Sequence, residues 1–229
     1  PVRPAHQGPG EEGPDLRQIT HGLFLWNIKK NQKVRADGRL PFPASQGGNP
    51  LELVDIYDAQ GHPTGVARDR SEPLQEGEYL LAVGVWIVDG EGNILLTQRS
   101  PEKCWAPGKW ENTAGHAQAG EDCPTAILRE IREETGLVVS KEQLVPLGSA
   151  CTGHYLGENY GLRLQQRPEH LTLQPGETCA AKWVTPEELE AMARDGELSP
   201  SVVGHLQGGY LDEFLRFIGR EGSTLFRKG

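Results

Sequence analysis

Between Gly115 and Leu137 the chain reads GHAQAGEDCPTAILREIREETGL, and these 23 residues constrain the fold more than any others. Glu130, Glu133 and Glu134 stand at i, i+3 and i+4. On a helix those positions share one face, and carboxylates crowded there repel one another. A divalent cation with oxygen ligands offsets that repulsion. Arg129 precedes the first of the three, Glu121 stands nine residues before Glu130, and glycines stand at Gly115 and Gly136. Asp122 is suited to cap the helix, Pro124 is tolerated in its first turn, and Gly136 supplies a left-handed stop after Thr135. Ile127 and Ile131 give the helix an apolar side next to the acidic one. The acidic face is therefore expected at the edge of the core, where a substrate can reach it.

A length of 229 residues suits one large domain, or one domain with extensions. The composition, 36% hydrophobic and 24% charged, is that of a soluble globular protein. A net charge of −9 argues against a nucleic-acid partner, whose footprint would be basic. It is compatible with a small anionic substrate if metal ions neutralise the site. No run approaches the roughly 18 apolar residues of a membrane span, so no membrane partner is expected. The start lacks a basic-then-apolar signal pattern and an initiating methionine, as in a processed or truncated chain. Cys104, Cys123, Cys151 and Cys179 form no C-x-x-C pair, which suits reduced thiols in a cytoplasmic protein better than a zinc site or a disulfide scaffold.

Residues 1–50 are rich in Gly, Pro and polar side chains and read as an N-terminal extension, partly disordered or arm-like. Within it, Gly22–Ile28 is apolar enough for an arm that packs on this domain or on a second subunit, which would support a homodimer. Residues 51–229 read as the folded domain. Leu51–Asp58 alternates as a strand and meets a turn at Ala59-Gln60-Gly61. Leu80–Val88 and Ile94–Arg99 read as a hairpin with a buried first strand, followed by a loop over Ser100–Lys109 and a short strand over Trp110–Ala114. Leu144–Leu156, Tyr160–Gln165 and Thr178–Val184 read as further strands. Thr185, Pro186 and Glu188 open a helix to Arg194, and Ser199–Gly219 is helical with a break near Gly208-Gly209.

The central stretch fits the pattern G-x5-E-x7-R-E-U-x-E-E-x-G-U, with U aliphatic, at every fixed position: Gly115, Glu121, Arg129, Glu130, Ile131, Glu133, Glu134, Gly136 and Leu137. At average residue frequencies such a match arises by chance in roughly one chain in ten million. The chain thereby resembles the Nudix hydrolases, loosely so from about Leu51 to about Leu206. Its lead-in, Glu52–Arg70, resembles the branch similar to isopentenyl-diphosphate isomerase. The resemblance implies an α/β fold, the Nudix-type α/β/α sandwich with a mixed central sheet. It implies a Mg²⁺-dependent enzyme, with Mn²⁺ as an alternative cofactor, that cleaves the P–O–P bond of a small diphosphate compound, foremost a nucleoside diphosphate derivative. Glu133 and Glu134 would be the main metal ligands. Glu130 would be a ligand or the base, Arg129 would orient a glutamate, and Glu121 would support the loop and the metal. The carbonyl of Ala114 or Gly115 would be a further ligand, and Glu177 or Glu158 would complete the site.

Two other functions compete. In isolation, REIREE suits a solvated helix face with surface ion pairs, and a Nudix domain of that kind can sense ligands without catalysis; such domains usually carry broken boxes. Isopentenyl-diphosphate isomerases carry a cysteine just before G-H in a segment like W-x-N-x-x-C-G-H. Here Trp110-Glu111-Asn112-Thr113-Ala114-Gly115-His116 has Ala114 in that position, and Gly77–Ile87 lacks the histidines those enzymes use. Trp105 and Trp110 are candidates for packing or for stacking on substrate, and His116, His154 and Tyr155 for a pocket wall.

Overall fold

The computed structural model describes residues 52–227. The arm read at Gly22–Ile28 lies outside them. A two-stranded antiparallel ribbon comes first, β1 (Leu53–Tyr57) with β2 (Pro63–Asp69). The β2 strand was not anticipated. Its sequence, PTGVARD, is mostly exposed and carries no apolar alternation. Val54 and Ile56 on β1 are buried against Leu80, which seats the ribbon on the main sheet.

The main sheet has seven strands: β3 (Leu80–Val88), β4 (Ile94–Arg99), β5 (Trp110–Glu111), β6 (Thr113–His116), β7 (Leu144–Thr152), β8 (Tyr155–Arg163) and β9 (Thr178–Val184). The order is β5-β4-β3-β8-β7, with β6 also on β3 and β9 also on β4. The β3–β8 pair is parallel and the others are antiparallel, so the sheet is mixed. The hairpin expected of β3 and β4 holds only at its tip, where Val88 faces Ile94. Beyond the tip the strands part, and Trp110–His116 fills the opening. This segment pairs with β4 through β5 and with β3 through β6, and it changes partner at the buried Asn112. The Asn112 amide donates to Val85 O at 3.2 Å, which ties the crossing point to β3. What reads as one short strand is therefore two, because it serves two partners.

Along β3 the side chains alternate between two cores. Val83, Val85 and Ile87 pack with Leu95 under the helix α1 (Cys123–Thr135), through Ile127 and Ile131. Trp86 and Val88 pack with Ile94 and Leu96 on the other face. That face is covered by α2 (Pro186–Arg194), α3 (Pro200–Leu206) and α4 (Leu211–Phe217). Helix, mixed sheet and helices form the α/β/α sandwich that was expected. Among the described residues no helix is long and apolar enough to cross a membrane.

Candidate active site

Gly115 and α1 are made for each other. The residue sits on β6 opposite Val83, facing the helix. A Cβ at this position would overlap the carboxyl carbon and both oxygens of Glu130, so glycine leaves that carboxyl its place against the strand. Asp122 caps the helix by accepting from Thr125 N at 2.8 Å, and Gly136 ends it at φ 74°, as the local sequence dictates.

Arg129 collects the carboxylates. Its guanidinium donates to both oxygens of Glu121 at 2.9 and 3.0 Å, to Glu130 Oε1 at 2.9 Å, to Glu133 Oε2 at 3.3 Å and to His116 O at 2.9 Å. Burial works against the Glu121 charge, but the bonds from Arg129 and from Gln118 N hold its carboxyl below the usual range. Glu130 is different. Burial outweighs Arg129 and moves its carboxyl up to about 7. Glu134 is pushed well above its ordinary value, first by burial and then by Glu130, Glu111 and Glu177 nearby. Its Oε2 is buried without a hydrogen-bond partner. Glu133 is the exposed member of the three.

The remaining candidates scatter around this face. Glu177 is ion-paired with Lys103 and lies within electrostatic reach of Glu134. Glu158 lies on β8 and accepts from Ser149 Oγ at 2.8 Å. Ala114 is exposed on β6 opposite Gly84. The His116 ring packs on Tyr155 with centroids 5.3 Å apart, and burial lowers its pKa to about 4. His154 Nδ1 bonds to Glu78 O at 2.8 Å. Trp105 and Trp110 carry protein cations on their rings, Arg99 at 5.0 Å and Lys182 at 4.3 Å. Two open hollows of about 350 and 280 Å³ lie beyond Trp110 and Lys182, and neither borders a box glutamate.

Among the described residues no three His, Cys, Asp or Glu side chains surround one point as ready metal ligands. The chemistry of the donor set nonetheless suits a hard cation. The donors are all oxygens, and the Glu134 Oε2 orphan is a buried acceptor that lacks a donor. Glu130, Glu133 and Glu134 are the residues able to hold such an ion.

Three residues near this face were not singled out from sequence: Arg99, Lys103 and Glu111. Glu111 is buried, pairs across the sheet with Thr97 and accepts from Arg99 Nη1 at 2.7 Å. The alternation Glu111, Thr113, Gly115 was a usable signal, since period two aligns Glu111 with the box glycine. Arg99 and Lys103 carried no such signal: Arg99 ends β4, Lys103 lies in the loop after it, and neither stands at a fixed spacing from the box.

Comparison with known proteins agrees with this architecture. The family model described as NUDIX domain matches residues 78–202. An uncharacterized Nudix hydrolase of Listeria monocytogenes is 30% identical over 151 residues, which is 66% of this chain and 89% of that protein. An isopentenyl-diphosphate Delta-isomerase of Paenarthrobacter aurescens is 37% identical over 98 residues, 42% of this chain, and the match spans 53% of that protein's length. The crystal structure of DR0079 from Deinococcus radiodurans aligns with a TM-score of 0.55 at 25% identity, covering 72% of this chain and 98% of that one. With the matched region spanning more than half of its length, the chain belongs to the Nudix family.

Proposed function

We propose that the protein is a divalent-metal-dependent hydrolase that cleaves the P–O–P bond of a small diphosphate compound, foremost a nucleoside diphosphate derivative. The observation that carries this reading is the orphaned Glu134 Oε2, buried on the acidic face of a complete box. Glu130, Glu133 and Glu134 are the proposed ligands for Mg²⁺ or Mn²⁺, with the carbonyl of Ala114 as a further donor. Glu121, held by Arg129 through both its oxygens, supports the loop beside the metal. Glu177 is the least available ligand, since Lys103 holds it. The cation would supply charge neutralisation of the diphosphate and a more acidic water. The chain supplies orientation: Arg129 fixes Glu130 against Gly115 and braces the loop through His116 O.

The relatives named as isomerases motivate the second reading, but Ala114 stands where the isomerase-like segment would carry its thiol. The chain is thus an isomerase-like branch member with a hydrolase's box. Residues 51–229 are read as one domain, because the core around Trp86 includes Phe214 and Ile218 and has Phe226 packed against it.

With Mg²⁺, the purified protein is expected to release phosphate or a nucleoside monophosphate from a member of a diphosphate panel. Glu133→Gln and Glu134→Gln should each slow that release by ~100-fold or more while the thermal transition persists. Unchanged turnover in both variants sinks the assignment. Solvent label entering isopentenyl diphosphate would favour the isomerase instead.

A further inference from the structure

Among the three glutamates of the acidic face, Glu134 is buried to 8% exposure and lacks a partner at Oε2. The Arg99 guanidinium lies within electrostatic reach of it. A buried carboxylate beside a guanidinium ordinarily pairs with it, since charge-assisted bonds are the strong ones. Here the pairing does not form. Arg99 Nη1 donates to Glu111 at 2.7 Å, its Nε donates to Trp105 O at 3.0 Å, and its Cζ lies 5.0 Å from the Trp105 ring centroid. Glu111 belongs to β5 and Arg99 to β4. Leu95 faces α1, so Thr97, its cross-strand partner Glu111, and Arg99 face the same way.

The Arg99–Glu111 pair is itself largely buried, with side chains 16% and 12% exposed. Burying two charges costs several kcal/mol per ion before their attraction is counted, and an apolar pair of like volume would serve the core as well. Stability alone therefore gives no reason for it. Its position gives one.

We propose that Glu111 is a positioning residue: it holds Arg99 against β5 and Trp105, and so keeps a Glu134 oxygen free for a divalent cation. This rests on the metal reading given above. Without the Glu111 charge, the charged acceptor with a free oxygen left within electrostatic reach of Arg99 is Glu134, and a guanidinium there would occupy the cation's ligand.

The test is Mn²⁺ titration of the full chain, with free Mn²⁺ read by electron paramagnetic resonance. Glu111→Gln should weaken Mn²⁺ binding by about tenfold or more, the range found when outer-shell partners are lost. Adding Arg99→Met to that variant should restore binding to within about threefold of wild type. A purely structural role predicts the opposite, because a second core substitution would compound the first. Arg99→Met alone should keep wild-type affinity, which provides a reading if Glu111→Gln does not fold. Wild-type affinity in Glu111→Gln, no recovery in the double variant, or lost affinity in Arg99→Met would each overturn the inference. A wild-type chain that binds no Mn²⁺ overturns the metal reading itself, which separates the two failures.

Discussion

The Cα hydrogens of Gly115 face the Glu130 carboxyl group, which occupies the space a side chain would need. Overpacking at such a contact costs about 1–3 kcal/mol. Gly115→Ala should destabilise the fold by that amount in urea denaturation, and should break the Arg129–Glu130 bond. In a Glu130→Ala background the same substitution should cost far less, because the atoms it strikes are gone. Equal penalties in both backgrounds would show that the contact is not what requires glycine. At this scale much of the candidate site was legible. The box residues were all named from the fit to the family pattern, and the structure brings Glu121, Arg129, Glu130 and Glu133 into one bonded group. The arrangement of Glu134 with Glu111, Arg99, Lys103 and Glu177 was not legible, since those side chains come from separate strands and loops.

Helix ends were readable because capping is a local event. Asp122 accepts from Thr125 N, and Thr185 and Glu188 form a reciprocal capping box at α2. Asp122→Ala and Thr185→Ala should each lower stability by about 1 kcal/mol, measured as a shift in urea midpoint at constant slope. No shift in either would mean that the caps are redundant with tertiary contacts. Strand partners were harder. The strand at Thr178–Val184 was anticipated to the residue, yet nothing local indicates that it lies on β4 rather than on β7. The β3–β4 hairpin shrinks to its tip pair for the same reason. A tight turn sets the first pair, and the remaining edges go to whichever strand competes best. The strand boundaries around Gly153 moved as well, with β7 ending at Thr152 and β8 beginning at Tyr155.

Across the whole molecule, α3 and α4 close the second core and carry a titratable group with them. His205 packs at a tilt on Tyr210 with centroids 5.6 Å apart, and its Nδ1 is buried without a partner. Burial lowers its pKa to about 4, against about 6.5 in an unfolded chain. The unfolded state therefore takes up the proton first, and stability falls as pH drops from about 6.5 towards 4. His116 acts with the same sign, and Glu130, held near 7, acts with the opposite sign. Comparing wild type with His205→Leu isolates one group. Their stability difference should move by about 2 kcal/mol in the variant's favour between pH 7.5 and 4.5. A constant difference would mean that His205 titrates normally in the fold. Sequence by itself determined the box helix, its caps, its acidic face and the family, because each depends on residues within a turn or at fixed spacing. Only the tertiary structure decided which carboxylates have partners. Arg129 gathers Glu121, Glu130 and Glu133, Arg99 is held by Glu111, and Glu134 is left with a bare oxygen. That outcome depends on where β4, β5 and β9 run past α1, and charge pairing across such distances along the chain is set by packing rather than by spacing.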